Sequence, residues 1–529
     1  VQGYDYIVIG GGSAGCVVTQ RLVAAGKGVL LLEAGPADTH PFVHIPGTFV
    51  RLFGSHRMWM YRSEPEAGLN GRPMHVPQGR TLGGGSSVNA MIYIRGQAQD
   101  YDDWAALGAE GWAWEDVLPV FRRAEANQRL AGPYHGTEGM LRVSDTRHRH
   151  PLSYAFLRAA QEAGVPYTDD FNGADQAGAG FFQTTTMEGR RGSTARTYLA
   201  SVRGRANLTI RTEAATLAIL MENGAATGVC WRASDGSVQT ATAREEVILC
   251  AGGIGSPKLL QLSGIGPADH LAEHGIAPRH DLPGVGENYQ DHVSAPVYGQ
   301  TREAVSVLGQ DKGLNAARNG LQYLLTRTGL LSSNIVECGA FVDTGGAGRP
   351  DVQVHFTPTL VGDVDRAASP GHGVTVNPCV LRPTSRGTVR LRSPDPHDPA
   401  MLRANVLSTR EDVETLIRGV KLGRRILRAP SLAKVIEREI APSPSDDVSD
   451  EALETHVRAL AKTVFHPVGA CRMGRDAMAV TDPQLRVHGV PRLRVADVSV
   501  MPLLVSGNTN AAAVMIGERC ADFLLRAPA

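Results

Sequence analysis

The stretch from Tyr4 to Gly35, YDYIVIGGGSAGCVVTQRLVAAGKGVLLLEAG, constrains this chain more than any other. Tyr6 to Ile9 is an apolar, β-branched run suited to a strand buried on both faces. Gly10, Gly12 and Gly15 follow as G-x-G-x-x-G, and Ala14, Val17, Val18 and Leu22 recur at helical spacing up to Gly26, a stop signal. A second apolar strand, Val29 to Leu32, leads into Glu33. Together these make a βαβ unit for an adenine dinucleotide. Gly10 permits the tight turn, Gly12 lets backbone approach a pyrophosphate, and Gly15 lets the helix seat close to the strand. The helix N-terminus offers unpaired N–H groups and partial positive charge to that pyrophosphate. Glu33 lies 18 residues after Gly15, where a carboxylate accepts hydrogen bonds from ribose hydroxyls and repels a 2′-phosphate. The unit alone does not separate FAD from NAD.

At 529 residues the chain has room for about two to four domains. Its 53 basic side chains balance 53 acidic ones, so no basic face points to nucleic acid. Sixty glycines, well above the usual share of about 7%, suit many tight loops around a ligand. The seven cysteines are scattered without a C-x-x-C, which argues against a disulfide framework, a zinc knuckle or a redox dithiol. The leading apolar run reads as a strand and not as a signal peptide, and no run of about 18 apolar residues would span a bilayer. A cytoplasmic location is expected, with peripheral association with the inner membrane left open.

Beyond Glu33 the pattern is irregular through Arg80, broken by Pro36, Pro41, Pro46, Pro65, Pro73 and Pro77, as in covers and clamps. QGRTLGGGSSVNAMIYIRG, from Gln78, offers bare backbone at Gly83 to Gly85 and small polar groups at Ser86, Ser87 and Asn89. That composition suits either a loop pressed on a flat or anionic ligand or an ordinary flexible loop. Tyr101–Ala124 and Leu152–Gly164 read as helical. Short β-type runs fill Asn207–Ala251, and the last, VILC, runs into AGGIGSPKLLQLSGIG, a second strand–glycine–helix sequence. From about His292 to Thr463 a second domain is expected. There VQVHFT (Val352–Thr357) and TVRLR (Thr388–Arg392) alternate as in an antiparallel sheet with one solvated face. Arg410–Arg428 reads as an amphipathic helix, and another, capped near Ser449, delivers the chain to Phe465-His466-Pro467. Asp497 sits in a turn after the strand beginning at Leu493, and Asn508 and Asn510 read as helix caps. Glu337 has two open readings, facing a substrate cavity or buried and paired.

Together these stretches resemble the glucose–methanol–choline (GMC) flavoprotein oxidoreductases, over almost the whole chain. GRTLGGGSSVN from Gly79 is similar to the family's first signature. GGIGSPKLLQLSGIG from Gly252 is similar to its second, except that Gly253 stands where Pro, Ser, Thr or Ala is usual. A smaller side chain is expected to fit there. GVGENYQDH from Gly284, FHPVGACRMG from Phe465 and the stretch from Asn508 to Arg519 are also family-like.

The resemblance implies an α/β fold, with a Rossmann-like FAD-binding domain and an α+β substrate domain on an antiparallel sheet. The expected segments are 1–150, 206–292 and 464–529 for the first, and 151–205 and 293–463 for the second. It implies FAD contacts at Gly10, Gly12, Ser13, Ala14, Gly15, Glu33, Ala34, Arg80, Gly84, Gly85, Ser86, Asn89, Ala90, Ala251, Asp497 and Asn510, and no metal. His466 falls on the family's catalytic base and Asn508 on its partner. Some members carry a histidine just before Asn89 that bonds the flavin covalently. Here that place is Val88, so non-covalent FAD is expected. The bacterial primary-alcohol and choline dehydrogenase branch looks most similar. The expected reaction is oxidation of a primary or secondary alcohol, with electrons passed to a quinone, cytochrome or dye-like carrier. An alcohol oxidase, a choline dehydrogenase and, remotely, a hydroxynitrile lyase are the alternatives.

Overall fold

The computed structural model describes residues 2–363 and 367–526. The first and last residues of the expected segments, with 364–366, lie outside it. Two sheets organise the chain. The first has seven strands, with Gln2–Ile9 at its centre between Val29–Leu32 and Val238–Leu249. All three run parallel, Ile9 aligning with Leu32 on one side and with Leu249 on the other. Leu208–Arg211 extends this parallel core beyond Val29–Leu32, and Leu493–Val495 pairs with the end of Val238–Leu249. The first half of Val238–Leu249 carries an antiparallel arm, Ala225–Arg232 and Ala215–Glu222. Val29 to Leu32 are buried at every position, as expected for a strand covered on both faces.

Helix Ser13–Ala24 begins at Gly12 and ends at Ala25, before Gly26 with φ of 84°. It packs along the C-terminal helix Asn510–Leu525 through a small-residue contact: a Cβ on Gly517 would lie 2.9 Å from the Ala14 carbonyl. Glu518, buried on that helix, accepts from Arg21 and from the Tyr198 hydroxyl. One apolar core surrounds this sheet.

The second sheet has eight strands, with the order Ile436–Ala441, Val297–Thr301, Gly373–Val380, Val352–Thr357, Cys338–Val342 and Gly178–Phe181 along its main path. Every pairing on that path is antiparallel. Helix Arg410–Arg428, capped by the Thr409 hydroxyl on the Asp412 N–H, covers one face. Gly419 and Gly423 bring it close: a Cβ on Gly419 would lie 2.9 Å from Pro378 Cβ. The helix expected near Ser449 is Asp450–Leu460, and Ser449 caps it. A second apolar core lies between these helices and the sheet.

Three sequence expectations change. Tyr101–Ala124 is two helices, Ala98–Ala106 and Trp114–Ala124, separated where Gly108 and Gly111 take φ of 95° and 79°. Thr388–Arg390 pairs with Met401–Arg403 in a separate two-stranded ladder. Val352–Thr357 has no solvated face: all six residues are buried. All seven cysteines are free. Among the described residues no helix is long and apolar enough to cross a membrane, and no cluster of His, Cys, Asp or Glu could hold a metal ion.

Candidate active site

Four parallel strands of the first sheet end side by side, and each delivers a residue singled out from the sequence. Ile9 is followed by Gly10, Leu32 by Glu33, Leu249 by Cys250 and Ala251, and Val495 by Ala496 and Asp497. Gly10, Glu33, Ala251 and Asp497 all line one cavity of about 1360 Å³, which reaches from these strand ends to the second sheet. Ligands of parallel α/β sheets bind outside the carboxyl ends of the strands. The volume exceeds the roughly 300–1,000 Å³ of ordinary small-ligand sites, as a dinucleotide plus substrate requires.

Gly10 has φ of 99°, and a Cβ there would lie 2.4 Å from the Cys250 carbonyl oxygen. Gly84, with φ of 49°, backs directly on Gly12: its Cβ would lie 2.6 Å from Gly12 Cα. The two glycine loops therefore present adjoining bare backbone, and Gly12, Ser13, Ala14, Gly84 and Gly85 are all on the wall. Gly15 is not. It faces inward, where a Cβ would strike the Gly10 carbonyl oxygen at 2.0 Å. Ser86 also lies off the wall, its hydroxyl donating to the Gly83 carbonyl at 2.6 Å.

The Glu33 carboxylate accepts from the Gly11 and Gly35 N–H groups at 3.0 and 2.8 Å, while burial raises its pKa. Asp497 accepts from the Gly252 N–H and the Ser256 and Ser499 groups around it, which fixes the glycine turn at 252. Ala34, Arg80, Asn89 and Ala90 complete this part of the wall. Asn89 Oδ1 accepts from the buried Arg191 guanidinium at 2.8 Å, and burial lowers the Arg191 pKa to about 9. Asn510 is not a helix cap. Its Oδ1 accepts from Ser13 at 2.8 Å, and its buried Nδ2 has no hydrogen-bond partner among the described residues. An unspent donor on the cavity wall beside the first glycine loop fits a bound group rich in acceptors.

At the other end His466, partly buried, lines the cavity between the sheets. Its Nδ1 lies 2.8 Å from Nδ1 of His292, whose Nε2 lies 2.9 Å from the Leu381 carbonyl oxygen. A carbonyl only accepts, so His292 carries its proton on Nε2 and presents a lone pair at Nδ1. His466 must then donate from Nδ1, which leaves the lone pair of its Nε2 facing Asn508 Nδ2 at 3.4 Å. Asn508 Oδ1 accepts from Gln353 Nε2 at 3.2 Å, which orients its amide and gives the side chain a role other than a cap. Burial first, then neighbouring His292 and His355, hold the His466 pKa well below 6.5, so the ring is neutral. The loop is anchored beneath: Asp291 accepts from the His466 N–H at 2.8 Å and from Thr463, and Phe465 is held at φ of 72°. Burial pushes the Asp291 pKa up to about 7.

The sequence reading missed the polar face of Val352–Thr357. His355 and Thr357 line the cavity, and Gln353 reaches Asn508 from the same face. Among the described residues, His355 Nδ1 and the Oδ1 of neighbouring Asn377 have no hydrogen-bond partner. The signal was the alternation itself, assigned to water when the cavity is what the polar face meets. Asp291 and His292 lay in GVGENYQDH, where no role was assigned to them. Glu337 is buried and paired, accepting from His148, Ser153, Ser333 and the His150 N–H, and it does not line the cavity.

Family models described as GMC oxidoreductase match residues 4–294 and 383–517. An alcohol dehydrogenase [acceptor] of Pseudomonas putida is 44% identical, covering 99% of this chain and 96% of that protein. An oxygen-dependent choline dehydrogenase of Photobacterium profundum is 40% identical over 99% of this chain and 93% of its own. An FAD-dependent oxidoreductase of Chaetomium thermophilum superposes with a TM-score of 0.90 at 27% identity, covering 98% of this chain and 99% of that one. With Gly10, Glu33, His292, His466 and Asn508 all inside the matched segments, the chain belongs to the GMC oxidoreductase family.

Proposed function

We propose that this protein is an FAD-dependent alcohol dehydrogenase that oxidises a primary or secondary alcohol to the aldehyde or ketone. The observation that carries this is the fixed tautomer of His466, a neutral imidazole with its Nε2 lone pair facing Asn508 in a cavity that ends in a dinucleotide cradle. Gly10, Gly12, Ser13, Glu33, Ala251 and Asn510 would hold the cofactor's dinucleotide part, and Asn89 and Ala90 lie further along the same wall. Bound FAD supplies a two-electron acceptor for hydride.

His466 Nε2 takes the proton from the alcohol oxygen. As the O–H bond breaks, the α-carbon releases hydride and the C–O bond becomes C=O. The Asn508 amide N–H donates to the substrate oxygen, holding it within reach of Nε2 and steadying the negative charge that develops there. Desolvation in the cavity wall lowers its pKa and keeps His466 unprotonated between turnovers. The FAD is non-covalent, because Val88 on the cavity wall has no nucleophile to offer it. The electron acceptor is a quinone or similar carrier and not oxygen, in line with the 44% identity to the Pseudomonas enzyme. A choline-type substrate has less support, since four donors occupy the carboxylate of Glu337.

The test is an anaerobic panel of aliphatic, aromatic and cationic alcohols, followed by acceptor comparison. Neutral alcohols should bleach the flavin, and a quinone should restore it faster than air. A flavin that no alcohol bleaches overturns the proposal; fast stoichiometric peroxide makes the protein an oxidase.

A further inference from the structure

Helix Gly313–Thr326 is built inside out. Leu314, Leu321, Leu324 and Leu325 are 90%, 59%, 67% and 74% exposed, although at about 100° per residue all four fall within one arc of about 100°. The opposite face, which packs on the protein, carries small residues with Asn319 and Tyr323 and no leucine. Asn319 donates to the Gln310 carbonyl at 2.9 Å, and the Tyr323 hydroxyl donates to the Gly189 carbonyl at 2.9 Å. A surface helix normally turns its leucines inward. Here the arc is an apolar face that no described residue covers, the kind that marks an interaction surface.

Charge says what would cover it. From Lys312 to Arg327 the sequence KGLNAARNGLQYLLTR has three basic residues and no acidic one, within a chain of zero net charge. Lys312 and Arg318 are exposed, and the acidic residue next to the helix in sequence, Asp311, is paired with Arg51 at 2.6 Å. An apolar arc flanked by lysine and arginine suits the headgroup–acyl boundary of an anionic bilayer. A second copy of the same helix, by contrast, would meet it with like charge. The surface also connects with the cavity. Arg51 follows Val50, which is 53% exposed and lies on the cavity wall, and the Pro46–Leu52 turn packs against Leu330–Ser332, just after the helix.

We propose that Gly313–Thr326 docks this protein peripherally on anionic lipid, with its leucines in the acyl boundary and its basic residues among the headgroups. The docking surface stands independently of the redox reading. The advantage of placing a cavity-wall segment near a lipid-dissolved acceptor rests on that reading.

The test is flotation of the FAD-loaded protein with phosphatidylglycerol–phosphatidylethanolamine vesicles and with neutral phosphatidylcholine vesicles. The parent should float with the anionic vesicles. Leu321→Gln/Leu325→Gln should lower the bound fraction at least about ten-fold, and Lys312→Gln/Arg318→Gln should remove the preference for anionic lipid. Dye-linked alcohol oxidation in solution should be unchanged in both variants, which separates this result from failure of the redox assignment. No flotation, or equal flotation by parent and leucine variant, overturns the proposal. So does a parent dimer that the leucine variant converts to monomer, because the surface is then an interface between copies.

Discussion

At the scale of single residues, the site turns on one chain of hydrogen bonds, Leu381 carbonyl to His292 to His466. His466→Ala should lower the rate of anaerobic flavin reduction by about 10²–10⁴-fold, the usual worth of a general base, and retain FAD; a variant as fast as the parent rules it out as the base. In the proposed mechanism His292 positions His466, and its removal should show in a different way. His292→Phe takes away the acceptor that holds the His466 proton on Nδ1, so the rate falls with FAD retained. His292→Gln restores an acceptor and should recover part of the loss. A purely structural role predicts no such recovery. The pH profile tests the same geometry. The groups facing His466 are His292, His355, Asn508 and, through the backbone, Asp291. Because burial lowers the His466 pKa, neutral imidazole persists below pH 6.5, and the acid limb of the reduction rate should lie below that value. A limb at or above 6.5 would contradict a desolvated, neutral His466. His466 and Asn508 could be singled out from sequence only through resemblance. His292 could not be assigned a role, because its effect passes through a contact spanning 174 residues and sequence does not encode which ring nitrogen carries the proton.

At the scale of elements, local patterns were legible and their surroundings were not. The βαβ unit from Tyr4 to Glu33 is written in adjacent residues, and its strands and helix form where the apolar spacing puts them. Alternation in Val352–Thr357 likewise identified which side chains share a face. It could not say that the polar face would meet a cavity wall and not water. Gly253 makes the same point. Its departure from the family pattern looked harmless, yet a Cβ there would lie 2.1 Å from the Pro467 carbonyl oxygen, one residue beyond His466. An alanine therefore forces the 253 turn and the loop that carries His466 apart. A misplacement of about 1 Å costs on the order of 10²-fold, so Gly253→Ala should slow flavin reduction by about that factor. Stopped-flow reduction of the variant beside the parent checks this, and an unchanged rate would show that the loop yields without moving His466.

At the scale of the whole molecule, the chain passes repeatedly between the two sheets. Gly178–Phe181 belongs to the second, Leu208–Leu249 to the first, Val297–Val380 to the second and Leu493–Val495 to the first. Each sheet has its own apolar core, and the cavity wall draws on both. A ligand held at the strand ends of one sheet, with its reacting end near His466 and the polar face of the other, should therefore stabilise both bodies together. Mass action sets the scale: a ligand at a hundredfold excess over its Kd adds about 2.7 kcal/mol. Since Val88 offers no covalent bond, FAD should be removable by mild chaotrope and restorable by adding it back. The stripped protein should melt earlier, with the two bodies separating into distinct transitions in calorimetry. Added FAD should raise the midpoint and merge them into one. If FAD raises a single transition and leaves the other in place, the dinucleotide is held by the first sheet alone, and the shared cavity does not join the two bodies energetically.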